Sequence, residues 1–100
     1  MASERENLRL QILLVLKCQP HYMANQELLI GRLREMGCAI SRDKLHIELI
    51  WLDQVADAIV DKVSGGVHIA SLTGDGLEAV EGLKPIAGIR APRPDELANG

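Results

Sequence analysis

The chain has 100 residues, 47% of them hydrophobic, and its 14 acidic residues outnumber its 11 Lys and Arg residues to give a net charge of −3. A chain of this length builds one hydrophobic core, so we expect a single domain. The negative charge weighs against DNA binding driven by overall positive charge, and the presence of only one Tyr and one Trp excludes a base-stacking surface for RNA or single-stranded DNA.

The first two predicted helices follow from capping patterns. Ser3 and Glu6 have the spacing of a capping box, and apolar residues then recur at helical intervals, which predicts a helix over residues 4–18. Pro20 ends this helix because it removes an amide donor and disfavours helix before it. Asn25 can cap a second helix with leucines on one face.

The middle of the chain predicts a strand, a helix and a hairpin. Residues 38–40 form a short apolar step that predicts a single strand, and Ser41 can cap a third helix over residues 42–56. Residues 58–63 and 67–72 are rich in β-branched side chains and are separated by a Ser-Gly-Gly turn. Glycine adopts positive φ without a Cβ clash, so this pattern predicts a β-hairpin.

The C-terminal quarter contains a last helix and a tail. Thr73 can cap a short fourth helix, with Gly82 near its end. Three prolines then punctuate a segment without helical or strand periodicity. We therefore expect a folded domain over residues 1–84 and an extended, proline-containing tail over residues 85–100, part of which docks on the domain or on a second copy.

The order of these elements is typical of a known fold class. Mainly α structure with a small β-hairpin, in the order α-α-(β)-α-β-β-α, predicts an α+β winged helix-turn-helix. Leu72, Thr73 and Gly76 resemble an LTxxG turn that ends the wing of many bacterial winged-helix regulators. Residues 3–94 resemble short winged-helix proteins of Mu-like bacteriophages and prophages. This resemblance implies a phage regulatory or accessory role, and it supplies no catalytic or binding residue.

In a helix-turn-helix, the N-terminal residues of the second helix of the motif contact base edges in the major groove. That helix is the third helix of this chain. Arg42 fits a bidentate contact to guanine, whereas Asp43 and Glu48 on the same helix repel phosphate. The candidate DNA-contacting residues are Ser41, Arg42, Lys44 and His46 for the groove, with Arg32, Arg34 and Lys62 near phosphates.

The third helix also carries apolar residues on more than the one face that a half-buried helix needs to cover. Burial inside the domain is one explanation, and a second subunit or a protein partner is the other. The candidate interface residues are Ile47, Ile50, Trp51, Ile86 and Ile89. A homodimer fits the first interpretation of function, because a regulator that binds a palindromic site needs two copies.

The sequence predicts no enzyme, cofactor or metal site. Cys18 and His21 have metal-ligand spacing, but no second pair at a suitable distance completes a site. The absence of a long apolar stretch or signal peptide predicts a soluble, cytoplasmic protein without a membrane partner. We expect a transcriptional regulator that binds double-stranded DNA. The alternative is a protein-interaction module with weak or no DNA binding, which an acidic or apolar surface on helix three and the wing would favour.

Overall fold

A computed structural model describes residues 2–98 of the chain. The fold is α+β, as predicted, and the described residues form five α-helices and one three-stranded antiparallel sheet. The elements are α1 (Glu4–Lys17), β1 (Met23–Asn25), α2 (Gln26–Glu35), α3 (Arg42–Gln54), β2 (Ile59–Ser64), β3 (Val67–Leu72), α4 (Gly74–Val80) and α5 (Pro94–Ala98). Met1 and the end of the predicted tail, Asn99 and Gly100, lie outside the described residues.

Four helices begin at the capping residues that the sequence predicted. In each case the side-chain oxygen accepts a hydrogen bond from a backbone N–H in the first turn, which satisfies a donor that has no partner inside the helix. The capping residues are Ser3, Asn25, Ser41 and Thr73, and the donors are the N–H groups of Glu6, Leu28, Lys44 and Gly76. Ser3 and Glu6 complete a capping box. These caps set the start of every helix that shapes the candidate site.

The sheet has the order β1-β3-β2, so β3 lies in its centre. The strand predicted at residues 38–40 is wrong, because the backbone N–H of Cys38 closes the end of α2 by donating to the carbonyl of Leu33. The additional strand is β1, which lies between α1 and α2 and pairs with β3 through Asn25 and Ile69. A three-residue strand carries no visible period in the sequence, and its partner is distant along the chain.

The predicted hairpin is confirmed. Gly65 and Gly66 join β2 and β3 with φ angles of +58° and +78°, the left-handed region that two-residue hairpin turns require. One face of β2 and β3 packs on the helices through Ile59 and Ala70, which are fully buried, while the other face is exposed.

The core lies between α1, α2, α3 and the sheet. Its largest members have no exposed surface and come from helical positions three and four apart: Leu10, Leu13, Leu16, Leu29, Leu33, Leu45, Leu49 and Leu52. The leucines of α3 are therefore covered within the domain. This burial accounts for part of the apolar character of α3 and leaves only its other faces available to a ligand.

The described part of the tail is docked on the domain. Ile89 is buried, and the backbone N–H of Arg90 donates to the carbonyl of Glu6 on α1. The predicted extended conformation is wrong for α5, where Pro94 starts a short helix and the Glu96 carboxylate accepts the backbone N–H of Arg93. Proline suits a first helical position because its missing donor has no partner there.

Candidate functional site

Four exposed residues line up along one side of α3, and we call them the outward stripe: Asp43, Ile47, Ile50 and Gln54. Their spacing of four, three and four residues places them on one face of a helix. Ile47 is 55% and Ile50 is 45% exposed. The outward stripe thus presents one carboxylate, two apolar side chains and one amide to a ligand or partner that contacts α3.

The first turn of α3 presents two cations beside this stripe. Ser41 is used as the cap of α3, and Arg42 and Lys44 are exposed. The guanidinium of Arg42 does not stand alone, because its Nε and Nη2 atoms lie 2.8 Å and 2.6 Å from Oε1 of Glu27 on α2. Arg42 is therefore accessible and at the same time held by an acidic neighbour.

Four side chains join α3 to the hairpin, and we call them the link cluster: Gln26, His46, Asp61 and His68. His46 Nε2 lies 2.8 Å from Oε1 of Gln26, and the backbone N–H of His68 donates to the same oxygen at 3.0 Å. The imidazole rings stack with their centroids 3.9 Å apart. His68 Nδ1 lies 2.9 Å from a carboxylate oxygen of Asp61.

The link cluster ties together α2, α3, β2 and β3, since each element contributes one of its members. Because the amide oxygen of Gln26 can only accept, His46 Nε2 carries the proton in this contact. His46 is partly buried and is used within the fold, so its part in the site is to position α3. The hairpin and α3 are consequently held as one surface.

The other basic residues assigned to DNA contact do not form one patch with Arg42. Arg32 pairs with Glu35 and faces the groove beside the C-terminal end of α1, on a different side of α2 from Glu27. Arg34 is exposed on α2, and Lys62 is exposed on β2 opposite Ile69. The structure thus gathers only the first turn of α3 and its neighbour Glu27 at one place, with Lys62 on the adjoining hairpin.

Glu48 does not belong to the exposed side of α3. Its side chain has no exposed surface, and its carboxylate accepts hydrogen bonds from Nε of Arg5 at 2.9 Å and Nε of Arg9 at 2.8 Å. Burial acts to raise the pKa of this carboxyl, but the two arginines outweigh that effect and the pKa lies below its ordinary value. Of the two acids expected to repel phosphate, only Asp43 remains on the surface.

Three of the five predicted interface residues contact other parts of their own chain. Trp51 carries the guanidinium of Arg9 at 3.6 Å from its ring centroid and contacts the backbone at Gly88. Ile86 is half-buried against the core, and Ile89 is only 9% exposed. The returning tail makes these contacts, and Ile47 and Ile50 are the two of the five residues that are exposed.

Sequence reasoning missed Gln26, Glu27 and Asp61 as neighbours of the candidate site. Gln26 and Glu27 directly follow the capping residue Asn25, so their place at the start of α2 was readable, but their partners on α3 and the hairpin were not. Among residues 2–98, no three His, Cys, Asp or Glu side chains lie close enough to hold a metal ion.

The described helices include none with the length and apolar character needed to cross a bilayer.

One comparison with known proteins identifies a relative. Over 71 residues the chain is 31% identical to the uncharacterized protein gp26 of Escherichia phage Mu, and the matched part covers 71% of this chain and 73% of gp26. This confirms the predicted likeness to proteins of Mu-like phages. No protein-family model and no solved structure matches the chain.

Proposed function

The chain belongs to the family of gp26 of Escherichia phage Mu, and we propose that it is a winged-helix transcriptional regulator that binds double-stranded DNA as a homodimer. The order α1-β1-α2-α3-β2-β3 and the sheet order β1-β3-β2 support the winged-helix assignment. In this proposal α3 is the reading helix and the β2–β3 hairpin is the wing.

The proposal depends most on the first turn of α3, which is exposed and carries Arg42 and Lys44. Reading helices contact bases with their N-terminal residues, and an arginine there can donate two hydrogen bonds to O6 and N7 of guanine. The link cluster holds α3 against the hairpin, so the entry of α3 into a major groove brings Lys62 towards the neighbouring phosphates.

The charge distribution is compatible with this function although the net charge is negative. Glu48 is turned into the core and neutralised by two arginines, so it does not oppose phosphate. Two copies of α3 in a dimer would contact half-sites one helical turn apart, about 34–36 Å. Each copy then contributes its own Arg42 and Lys44.

The test is a mobility shift with fragments from around the gene, over a salt series and with random-sequence competitor. We expect a selective shift that weakens steeply with salt, because phosphate contacts release counterions. Arg42→Ala should weaken specific binding by about 1–3 kcal/mol. Arg93→Ala is the matched control, since the Arg93 side chain, directly before α5, is 68% exposed and that of Arg42 is 61% exposed. Absence of a shift at low salt with folded protein contradicts the proposal.

A second candidate function, protein docking through α3, is favoured by the exposure of Ile47 and Ile50 on the outward stripe. The variant Ile50→Glu separates the two functions when its self-association is compared with that of the wild type by analytical ultracentrifugation. If α3 docks protein, self-association disappears in this variant. If the variant still associates, and the wild type binds DNA in a way that depends on Arg42, DNA reading is favoured.

A further inference from the structure

We infer that Glu27 sets the selectivity of the DNA site by withholding Arg42 from phosphate, so that Arg42 is released only to a guanine edge. This inference rests on the proposed function, because it concerns the same first turn of α3. It adds a residue on α2 and a role that the reading helix does not have by itself.

The geometry of the pair suits a contact that can be exchanged. Two nitrogens of Arg42 converge on one oxygen of Glu27, at 2.8 Å and 2.6 Å, and the two side chains are 61% and 56% exposed. An ion pair with this exposure changes an equilibrium constant by at most about fivefold. A ligand that offers Arg42 a better bidentate contact can therefore displace Glu27 without unfolding any element.

The backbone of Glu27 is held in place independently of its pair with Arg42. It lies in the first turn of α2, directly after Gln26, whose side chain is fixed by His46 and the backbone of His68. The side chain of Glu27 is thus anchored beside the first turn of α3 whether or not Arg42 is bound to it. A phosphate that approaches Arg42 meets this negative charge, and the repulsion disfavours the exchange.

A guanine edge that approaches Arg42 is not repelled by Glu27 in this way. Its O6 and N7 atoms are uncharged acceptors, and a bidentate arginine contact to them favours guanine over the wrong base by about 5- to 150-fold. A guanine edge can therefore replace both hydrogen bonds of the weak exposed pair, whereas a phosphate brings like charge close to Glu27. On random-sequence DNA, Arg42 accordingly stays with Glu27, and the protein has one phosphate contact fewer than its exposed cations allow.

The experiment measures binding of the full chain to a random-sequence duplex by fluorescence anisotropy over a salt series. Glu27→Gln should tighten this non-selective binding about three- to tenfold and steepen the slope of log affinity against log salt by about 0.9, the value for one additional phosphate contact. The same substitution in an Arg42→Ala background should have no such effect, because the released cation is absent.

Glu35→Gln is the matched control. It makes the same change in net charge, and it frees an arginine from another exposed pair, Arg32–Glu35, on a different side of α2. If Glu35→Gln tightens binding as much as Glu27→Gln does, or if Glu27→Gln still acts without Arg42, the inference is overturned while the proposed function stands. If neither the wild type nor Glu27→Gln binds the duplex at low salt, both fail.

Discussion

The helix α3 contributes one member to each of two arginine–glutamate pairs, which have the same chemistry and opposite surroundings. Glu48 and Arg9 are 0% and 8% exposed, whereas Arg42 and Glu27 are 61% and 56% exposed. Water competes for the second pair and not for the first, so the first is fixed once the chain folds and the second can change partners. The comparison teaches that one helix can form the same kind of ion pair as a fixed part of the core on one side and as an exposed surface contact on the other.

The largest expected effect comes from the buried pair. Glu48→Gln keeps the size of the side chain and removes its charge, which leaves two arginines with a neutral partner. We expect a loss of about 3 kcal/mol or more in the free energy of unfolding, measured by urea denaturation followed by circular dichroism. Glu27→Gln should change it by less than about 0.5 kcal/mol. Equal losses in the two variants would remove the distinction between the pairs.

The next effect concerns the tail that covers the buried pair. A Cβ at Gly88 would lie 2.7 Å from Trp51, and the φ angle of +89° is unfavourable for other residues. Gly88→Ala should therefore destabilise the fold by about 2 kcal/mol and change Trp51 fluorescence. Gly31→Ala, in an exposed helical position with nothing within 4 Å of the added Cβ, should instead stabilise by about 0.5–1 kcal/mol. If Gly88→Ala left the free energy of unfolding unchanged, docking of the tail would not depend on the contact between Gly88 and Trp51.

The parts of the fold that the sequence predicted correctly depend on short-range rules. The four capping residues act on N–H groups three positions away, and the hairpin turn depends on two adjacent glycines. The strand β1 escaped prediction because its partner β3 lies far along the chain. Docking of the tail on the domain or on a second copy was expected, but the place where it docks escaped prediction for the same reason, since Arg90 contacts Asn7 across 83 positions.

In the candidate site, too, the sequence predicted the features that depend on nearby residues and missed those that depend on distant ones. The position of Arg42 in the first turn of α3 followed from its cap, Ser41, whereas its partner Glu27 lies 15 residues earlier on another helix. Glu48 was assigned to the wrong face because α3 has apolar residues on several sides, so its helical period did not reveal which side faces inward. Charge pairing at a distance, rather than local propensity, decides these positions.

A further effect on stability comes from a pair of intermediate exposure, Arg90 and Glu96, whose side chains are 15% and 14% exposed. The hydrogen bonds from Arg90 lower the pKa of Glu96 from its ordinary 4.5 to about 2, against the opposing effect of burial, and the N–H of Arg93 adds to this. Because the pKa is lower in the folded state, the stabilisation is present above about pH 4.5 and is lost as the pH falls towards about 2. Between about pH 5 and about pH 2, the wild type should lose about 1–2 kcal/mol more than Glu96→Gln. Asp95→Asn, at a more exposed position of α5, should follow the wild type, and parallel pH profiles for all three proteins would contradict the graded effect of burial on these pairs.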